Sequence, residues 1–182
     1  MTDTQPASVY DLAHTDQEES RATFAVLVDN EPGVLHRVVG LFAARGYNID
    51  SLTVAETDAN AHTSRITIVT RGTPQVLAQI EAQLQKMVST RHVQDVTKDP
   101  NGIERELALV KVRGTGAERV EALRVSDIFR AKVVDTTHES FVFELTGASS
   151  KIDKYVDLMK GLGLVEVSRT GVLSLQRGVE VF

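Results

Sequence analysis

Cysteine and tryptophan are both absent from the 182 residues. Without cysteine there is no disulfide, no thiolate ligand for zinc or an iron–sulfur cluster, and no thiol nucleophile. Such a chain suits a reducing compartment, and a cytoplasmic setting is the expectation. Aromatic residues make up only 5%, which argues against a platform that stacks nucleic-acid bases or sugar rings. The longest apolar runs are a few residues, so no membrane-spanning helix is expected. The opening MTDTQPASVY lacks the basic and apolar regions of a secretory signal, and none is expected there.

Positive charge is missing from one place. Residues 1–20 hold Asp3, Asp11, Asp16, Glu18 and Glu19 but no Lys or Arg, and this segment carries the whole net charge of −5. The remainder balances twenty acids against twenty bases. A neutral body offers no electrostatic footprint for nucleic acid or an anionic membrane. The acidic segment, rich in Thr, Ser and Gln, reads as a disordered, solvating tail.

The body has 42% apolar residues across the chain to build a core, and their spacing gives its organisation. RATFAVLVD reads as a strand ended by the turn formers Asn30, Glu31, Pro32 and Gly33. Val34, Leu35, Val38, Val39, Leu41 and Phe42 then recur at helical spacing, with Gly46 as the stop. YNIDSLTVAET and HTSRITIVT form a hairpin about a turn at Asp58, Ala59 and Asn60. Val76, Leu77, Ile80, Leu84 and Val88 form a second helical stripe after Thr73 and Pro74, and RHVQDVTKD closes the unit as a strand. The second half repeats the order: strand RELALVKVRG, a helix with Val120, Leu123, Ile128 and Phe129, hairpin KVVDTTHE/SFVFELTG, a helix with Ile152, Val156 and Met159 inward, and strand LVEVSRTG. The tail GVLSLQRGVEVF is apolar enough to dock back. The expected class is α+β, two ferredoxin-like βαββαβ domains in tandem at 21–99 and 103–182, joined through Asp99, Pro100, Asn101 and Gly102.

No constellation for catalysis emerges. His14, His36, His62, His92 and His138 are scattered without metal-ligand spacing, and no GxSxG elbow, P-loop or GxGxxG fingerprint is present. Catalytic residues and metal ligands are therefore expected to be none. Arg113, Gly114, Thr115 and Gly116 precede a helix and read as an anion loop or, more simply, a tight turn. The loop DNEPGVL differs. It joins a strand to a helix N-terminus, where unpaired N–H groups and the helix dipole favour an anion. Gly33 lets a ligand approach the backbone. The N–H groups of Gly33, Val34 and Leu35 offer a cradle for a carboxylate, Pro32 fixes the entry angle, and the Asn30 amide both donates and accepts. An ordinary β-to-α turn remains the plain alternative.

DNEPGVLHRVVGLFAARGYNIDSLTVAET, followed by SRITIV and LVEVSRTGVLSLQRG, resembles the ACT-domain regulatory (small) subunits of acetolactate synthase, also called acetohydroxyacid synthase. The turn Asn-x-Pro-Gly alone marks many ACT domains; the longer matches, spanning residues 21–178, are more specific. The acidic tail falls outside the pattern. The resemblance implies an ACT domain and an ACT-like second domain. It implies a feedback effector, usually valine, bound between the ACT domains of two chains, hence a homodimer or higher assembly. Carried onto this sequence, Asn30, Pro32, Gly33, Val34 and Leu35 form one side of the site, and Asn48 and Ile49 reach it from the facing subunit. Asn48 reads equally as a left-handed turn residue, Val34 and Ile49 equally as core, and Arg37 as a solvated helix residue. The implied role is non-catalytic: activation of a catalytic (large) subunit, which would carry thiamine diphosphate, magnesium and FAD, and its inhibition by branched-chain amino acids. The alternatives are a stand-alone ACT-type sensor acting on another enzyme or a transcription factor, and a small ferredoxin-fold enzyme.

Overall fold

The computed structural model describes residues 18–58 and 62–179. The acidic tail up to residue 17, the hairpin turn at Ala59 and Asn60, and the last three residues lie outside the described part.

Both halves have the expected strand–helix–strand–strand–helix–strand order. The first comprises β1 (Ser20–Asp29), α1 (Val34–Arg45), β2 (Ser51–Asp58), β3 (Thr63–Gly72), α2 (Pro74–Gln85) and β4 (Thr90–Asp95). The second comprises β5 (Gly102–Arg113), α3 (Gly116–Phe129), β6 (Lys132–Thr136), β7 (Ser140–Gly147), α4 (Ser149–Lys160) and β8 (Leu164–Arg169), followed by β9 (Leu173–Gln176). The antiparallel sheets run β2-β3-β1-β4 and β6-β7-β5-β8, the same order twice. Between the halves the chain makes a 3₁₀ turn at Val96–Lys98, where the sequence reading had extended the strand. Asp95 stops that strand: its carboxylate accepts the Thr97 N–H and turns the backbone.

Local chemistry sets the ends of the helices. Thr73 Oγ1 accepts the Val76 N–H at 3.4 Å and Pro74 occupies the first turn of α2. α1 ends at Gly46, left-handed at φ +68°, whose N–H reaches back to the Ala43 carbonyl. Val38, Phe42, Ile80 and Leu84 then close over Phe24, Val26, Ile66 and Ile68 on one face of the first sheet.

Five stripe positions lie elsewhere than periodicity suggests. Leu35 and Val39 border the α1 stripe but are exposed, because α1 buries only the narrow line Val34, Val38 and Phe42. Val88 is fully exposed, lying beyond the end of α2. On α3, Val120 and Ile128 are exposed while Ala122 and Ser126 are buried. Small residues let α3 pack closely there: Ser126 Oγ donates to the Ala122 carbonyl at 2.7 Å and meets the Tyr155 hydroxyl at 2.8 Å. Tyr155 on α4, not Val156, is the fully buried residue, packed edge-on against Phe143.

The first sheet is covered on both sides. Thr23, Ala25, Thr67 and Val69, on the face away from the helices, are buried as well. The C-terminal segment docks on this face as expected, but through Val172, Ser174 and their backbone groups rather than through its apolar character, for Leu173, Leu175 and Val179 stay exposed. β9 pairs with the first four residues of β5 (Gly102↔Gln176 to Arg105↔Leu173), whereas the rest of β5 pairs with β7 and β8. Arg65 donates to the Ser174 carbonyl at 2.9 Å, and Arg21 pairs with Glu104 at 2.9 Å.

Burial pushes the Tyr155 hydroxyl up to about 12 from an ordinary 10, against a smaller opposing effect of the Ser126 hydrogen bond. The folded state thus holds the phenol proton more tightly than the unfolded chain. That contribution is complete below pH 10 and lost as pH rises towards 12. Tyr155→Phe should cost about 1 kcal/mol at neutral pH, since Ser126 keeps its bond to Ala122. Urea unfolding should show the parent's advantage over this variant shrinking between pH 10 and 12.

Candidate functional site

The β1–α1 loop is fixed from below. Asp29 N–H donates to the Ser89 carbonyl at 2.9 Å and Asn30 N–H to the His62 carbonyl at 2.7 Å. Gly33 takes φ +84°, a conformation that turns the chain into α1 and that L side chains resist. The loop itself stays open: Asn30, Pro32, Gly33 and Leu35 are exposed.

The cradle differs in detail from the one read off the sequence. Val34 N–H is already engaged by the Glu31 carbonyl at 3.2 Å, and the first intrahelical bond runs from Arg37 N–H to the Gly33 carbonyl at 3.0 Å. The N–H groups of Leu35 and His36 are thereby left facing out at the helix start. Val34 itself lies in the core at 6% exposure. Arg37 is not simply solvated. It pairs with Glu31 and donates to Ser89 Oγ at 2.7 Å, and its Nη1 lies 3.8 Å from where a Cβ on Gly33 would stand. Ser89, buried and hydrogen-bonded to Glu31, completes this triad. No spacing rule pointed to Ser89, because it comes from the turn before β4.

Asn48 and Ile49 occupy the approach to β2. Asn48 keeps a negative φ, for among the described non-glycine residues only His62 and Arg130 have positive values. Its amide donates to Asp50 Oδ1 at 2.8 Å and its carbonyl accepts Thr70 Oγ1 at 2.6 Å. Asp50 is held in turn by Arg71 at 2.9 Å, a pair the sequence reading missed. Ile49 is half-buried against the first core. Asn48 and Ile49 also line a cleft of about 1050 Å³ between the two halves, facing Glu106, Ser149 and Arg169. In that cleft Arg169 is locked to buried Glu106 by bonds of 2.7 and 2.6 Å, and this hydrogen bonding raises the guanidinium pKa above its ordinary value.

Within one chain the two segments do not meet. Register puts Ser51 beside Val69 and Thr23, and Asp58 beside Thr63 and Asp29. The loop after Asp29 therefore lies at the Asp58 end of β2, and Asn48 at the Ser51 end. Seven residue steps along a strand span about 23 Å, far longer than an amino acid. β2 is an edge strand with an open outer side. Antiparallel pairing of two β2 edges about a two-fold axis would set the Asn48 end of one chain against the loop of the other.

Other chemistry is sparse. Among the described residues no group of three or more His, Cys, Asp or Glu is placed to hold a metal ion. No helix among them is long and apolar enough to cross a membrane.

Residues 24–92 match the family model of the AHAS small subunit-like ACT domain, and residues 105–178 match that of the small subunit of acetolactate synthase. A probable acetolactate synthase small subunit of Archaeoglobus fulgidus is 44% identical over 156 residues, 86% of this chain and 96% of that protein. The small subunit of acetolactate synthase isozyme 3 of Escherichia coli is 43% identical over 88% of this chain and 98% of its own length. The crystal structure of the Thermotoga maritima acetolactate synthase small subunit superposes with a TM-score of 0.77 at 36% identity, covering 88% of this chain and 99% of that one.

Two glycines in or beside α1 should respond in opposite directions. Gly33→Ala has space but the wrong φ, and should lower stability by about 1–2 kcal/mol. Gly40→Ala, in the helix interior with nothing within 4 Å of the new Cβ, should raise it by about 0.5–1 kcal/mol. Urea denaturation of the two variants reads both signs.

Proposed function

This chain belongs to the family of acetolactate synthase small subunits, and we propose that it activates the catalytic subunit of that enzyme and renders it inhibitable by valine or a related branched-chain amino acid. Family membership implies the large-subunit partner. Thiamine diphosphate, magnesium and FAD, and the condensation they serve, are assigned to that partner. Effector binding is assigned to the ACT domain at 21–99, with 103–182 as the companion ACT-like domain, and the assembly to the cytoplasm.

The observation that carries the effector reading is the placement of the two motif segments at opposite ends of one open edge strand. Two chains paired along β2 form two equivalent sites, each with the 30–35 loop of one chain and Asn48 and Ile49 of the partner subunit. The effector carboxylate is taken by the outward N–H groups of Leu35 and His36 at the positive end of α1, beside the Arg37 guanidinium. The Gly33 backbone admits it closely, and Asn30 and Asn48 offer amides for the mixed polarity of a zwitterion. Ile49 and Leu35 supply apolar surface for a branched side chain, and a lysine-like effector would bury its charge unpaired there.

The protein alone should sediment as a dimer or larger and melt at a higher temperature in millimolar valine, but not in millimolar lysine. At a hundred times the dissociation constant, mass action adds about 2.7 kcal/mol per site. A 20 kDa monomer at micromolar concentration with an unshifted melt would overturn the reading.

Reconstitution with the catalytic subunit separates activation from inhibition. Gly33→Asp should abolish inhibition and retain activation, because its carboxylate pairs with Arg37 and takes the place of the effector's. Asn48→Ala should raise the valine concentration for half-inhibition by about 5- to 150-fold, the range for one polar contact worth about 1–3 kcal/mol. Acetolactate formed against valine concentration is the measurement. If Gly33→Asp stays valine-sensitive, the loop is only a turn.

A further inference from the structure

We infer that the turn at residues 170–172 of the second domain is a positioning element of the effector site in the first domain, with Gly171 its key residue. The inference rests on the effector reading above.

The turn sits on the first residues of β2. Val172 N–H donates to Ser51 Oγ at 3.1 Å, and Thr53 Oγ1 donates to the Val172 carbonyl at 3.1 Å. Val172 is 3% exposed. Gly171, at φ +82°, lies so close that a Cβ there would stand 2.6 Å from Ser51 Oγ and 2.9 Å from Thr53 Oγ1. A Cβ there would displace the Ser51 and Thr53 hydroxyls from their bonds to Val172 or shift the turn, and L side chains resist the left-handed φ besides.

The seat is rigid because the second domain holds it on its own account. Thr170 N–H donates to the Leu107 carbonyl at 3.0 Å, and Leu107 N–H returns a bond to Thr170 Oγ1 at 3.1 Å. The preceding residue, Arg169, is clamped to Glu106 and Asp153. From the other side, β3 holds the approach to β2 through Thr70 and Arg71 and through the Val69 carbonyl, which accepts Asp50 N–H at 2.8 Å. The segment carrying Asn48 and Ile49 is thus gripped between β3 and the turn.

Strand geometry makes this grip compatible with the dimer. Ser51 and Thr53 point to the face away from the helices, so the turn reaches β2 through its side chains and leaves the hydrogen-bonding edge free. Binding constellations need positions held to within about 0.5 Å. The second domain therefore tunes effector affinity without offering an atom to the effector.

The test uses the full chain reconstituted with its catalytic subunit, with valine as the probe. Gly171→Ala should raise the valine concentration for half-inhibition at least tenfold, well beyond any fall in the rate without valine. Ser51→Ala adds no atoms and removes the acceptor for Val172, and should raise it about threefold; it decides the matter if Gly171→Ala does not fold. Gly178→Ala carries a similar left-handed strain at φ +110° with nothing within 4 Å of its Cβ, and should respond as the parent does. Gly171→Ala and Ser51→Ala midpoints within twofold of a valine-sensitive parent would overturn this inference alone. Activity and inhibition falling together in both variants would also overturn it, showing a merely structural contact. A parent that does not respond to valine would overturn the effector reading, and this inference with it.

Discussion

The first sheet is buried on a face too hydroxylated for a helix to cover well. Thr23 and Thr67 are buried there beside Ala25 and Val69, and the half-buried Ser51, Thr53 and Arg65 on the same face carry polar groups that need partners. A helix shows side chains outward and has no backbone groups to spare along its middle. An irregular turn and a short strand do have them. Val172 and Ser174 supply carbonyl and N–H groups to Ser51, Thr53 and Arg65. The relation between the two domains follows from this need. β5 runs from the β9 pairing into the second sheet as one strand, so the element that covers the first domain is continuous with the core of the second.

Strands and turns were legible because their signals are local. Alternation, the Asn-x-Pro-Gly turn and glycine punctuation depend on a few neighbouring residues, and the repeated βαββαβ order follows from them. Helix faces were less legible. Counting apolar residues at helical spacing made Val120 and Ile128 core candidates, but α3 turns its small residues inward so that Tyr155 and Phe143 fit beneath it. Val88 shows the same limit: an apolar residue continues the stripe past the point where the helix has ended.

The site divided in a similar way. The loop motif and Gly33 could be read directly, since a strand-to-helix turn with a left-handed glycine has a sequence signature. Resemblance to a family brought in Asn48, while its geometry, at negative φ and tied to Asp50, came only with the fold. Ser89 and Arg71 carried no signal at all. Ser89 is 58 residues from Glu31 in sequence, and only sheet order brings the turn before β4 under the loop.

Order along the chain gives the β9–β5 pairing a consequence during synthesis. β4 is complete at Asp95, yet β9 ends at Gln176. At about 5–20 residues per second, the ribosome needs roughly 4–16 s to make the intervening stretch. Throughout that interval a nascent first domain can fold its helical side while its threonine-lined face stays bare. Such a face, with an open β2 edge beside it, is where a newly made chain is most prone to stick to its neighbours, and where a holding chaperone has most to shield.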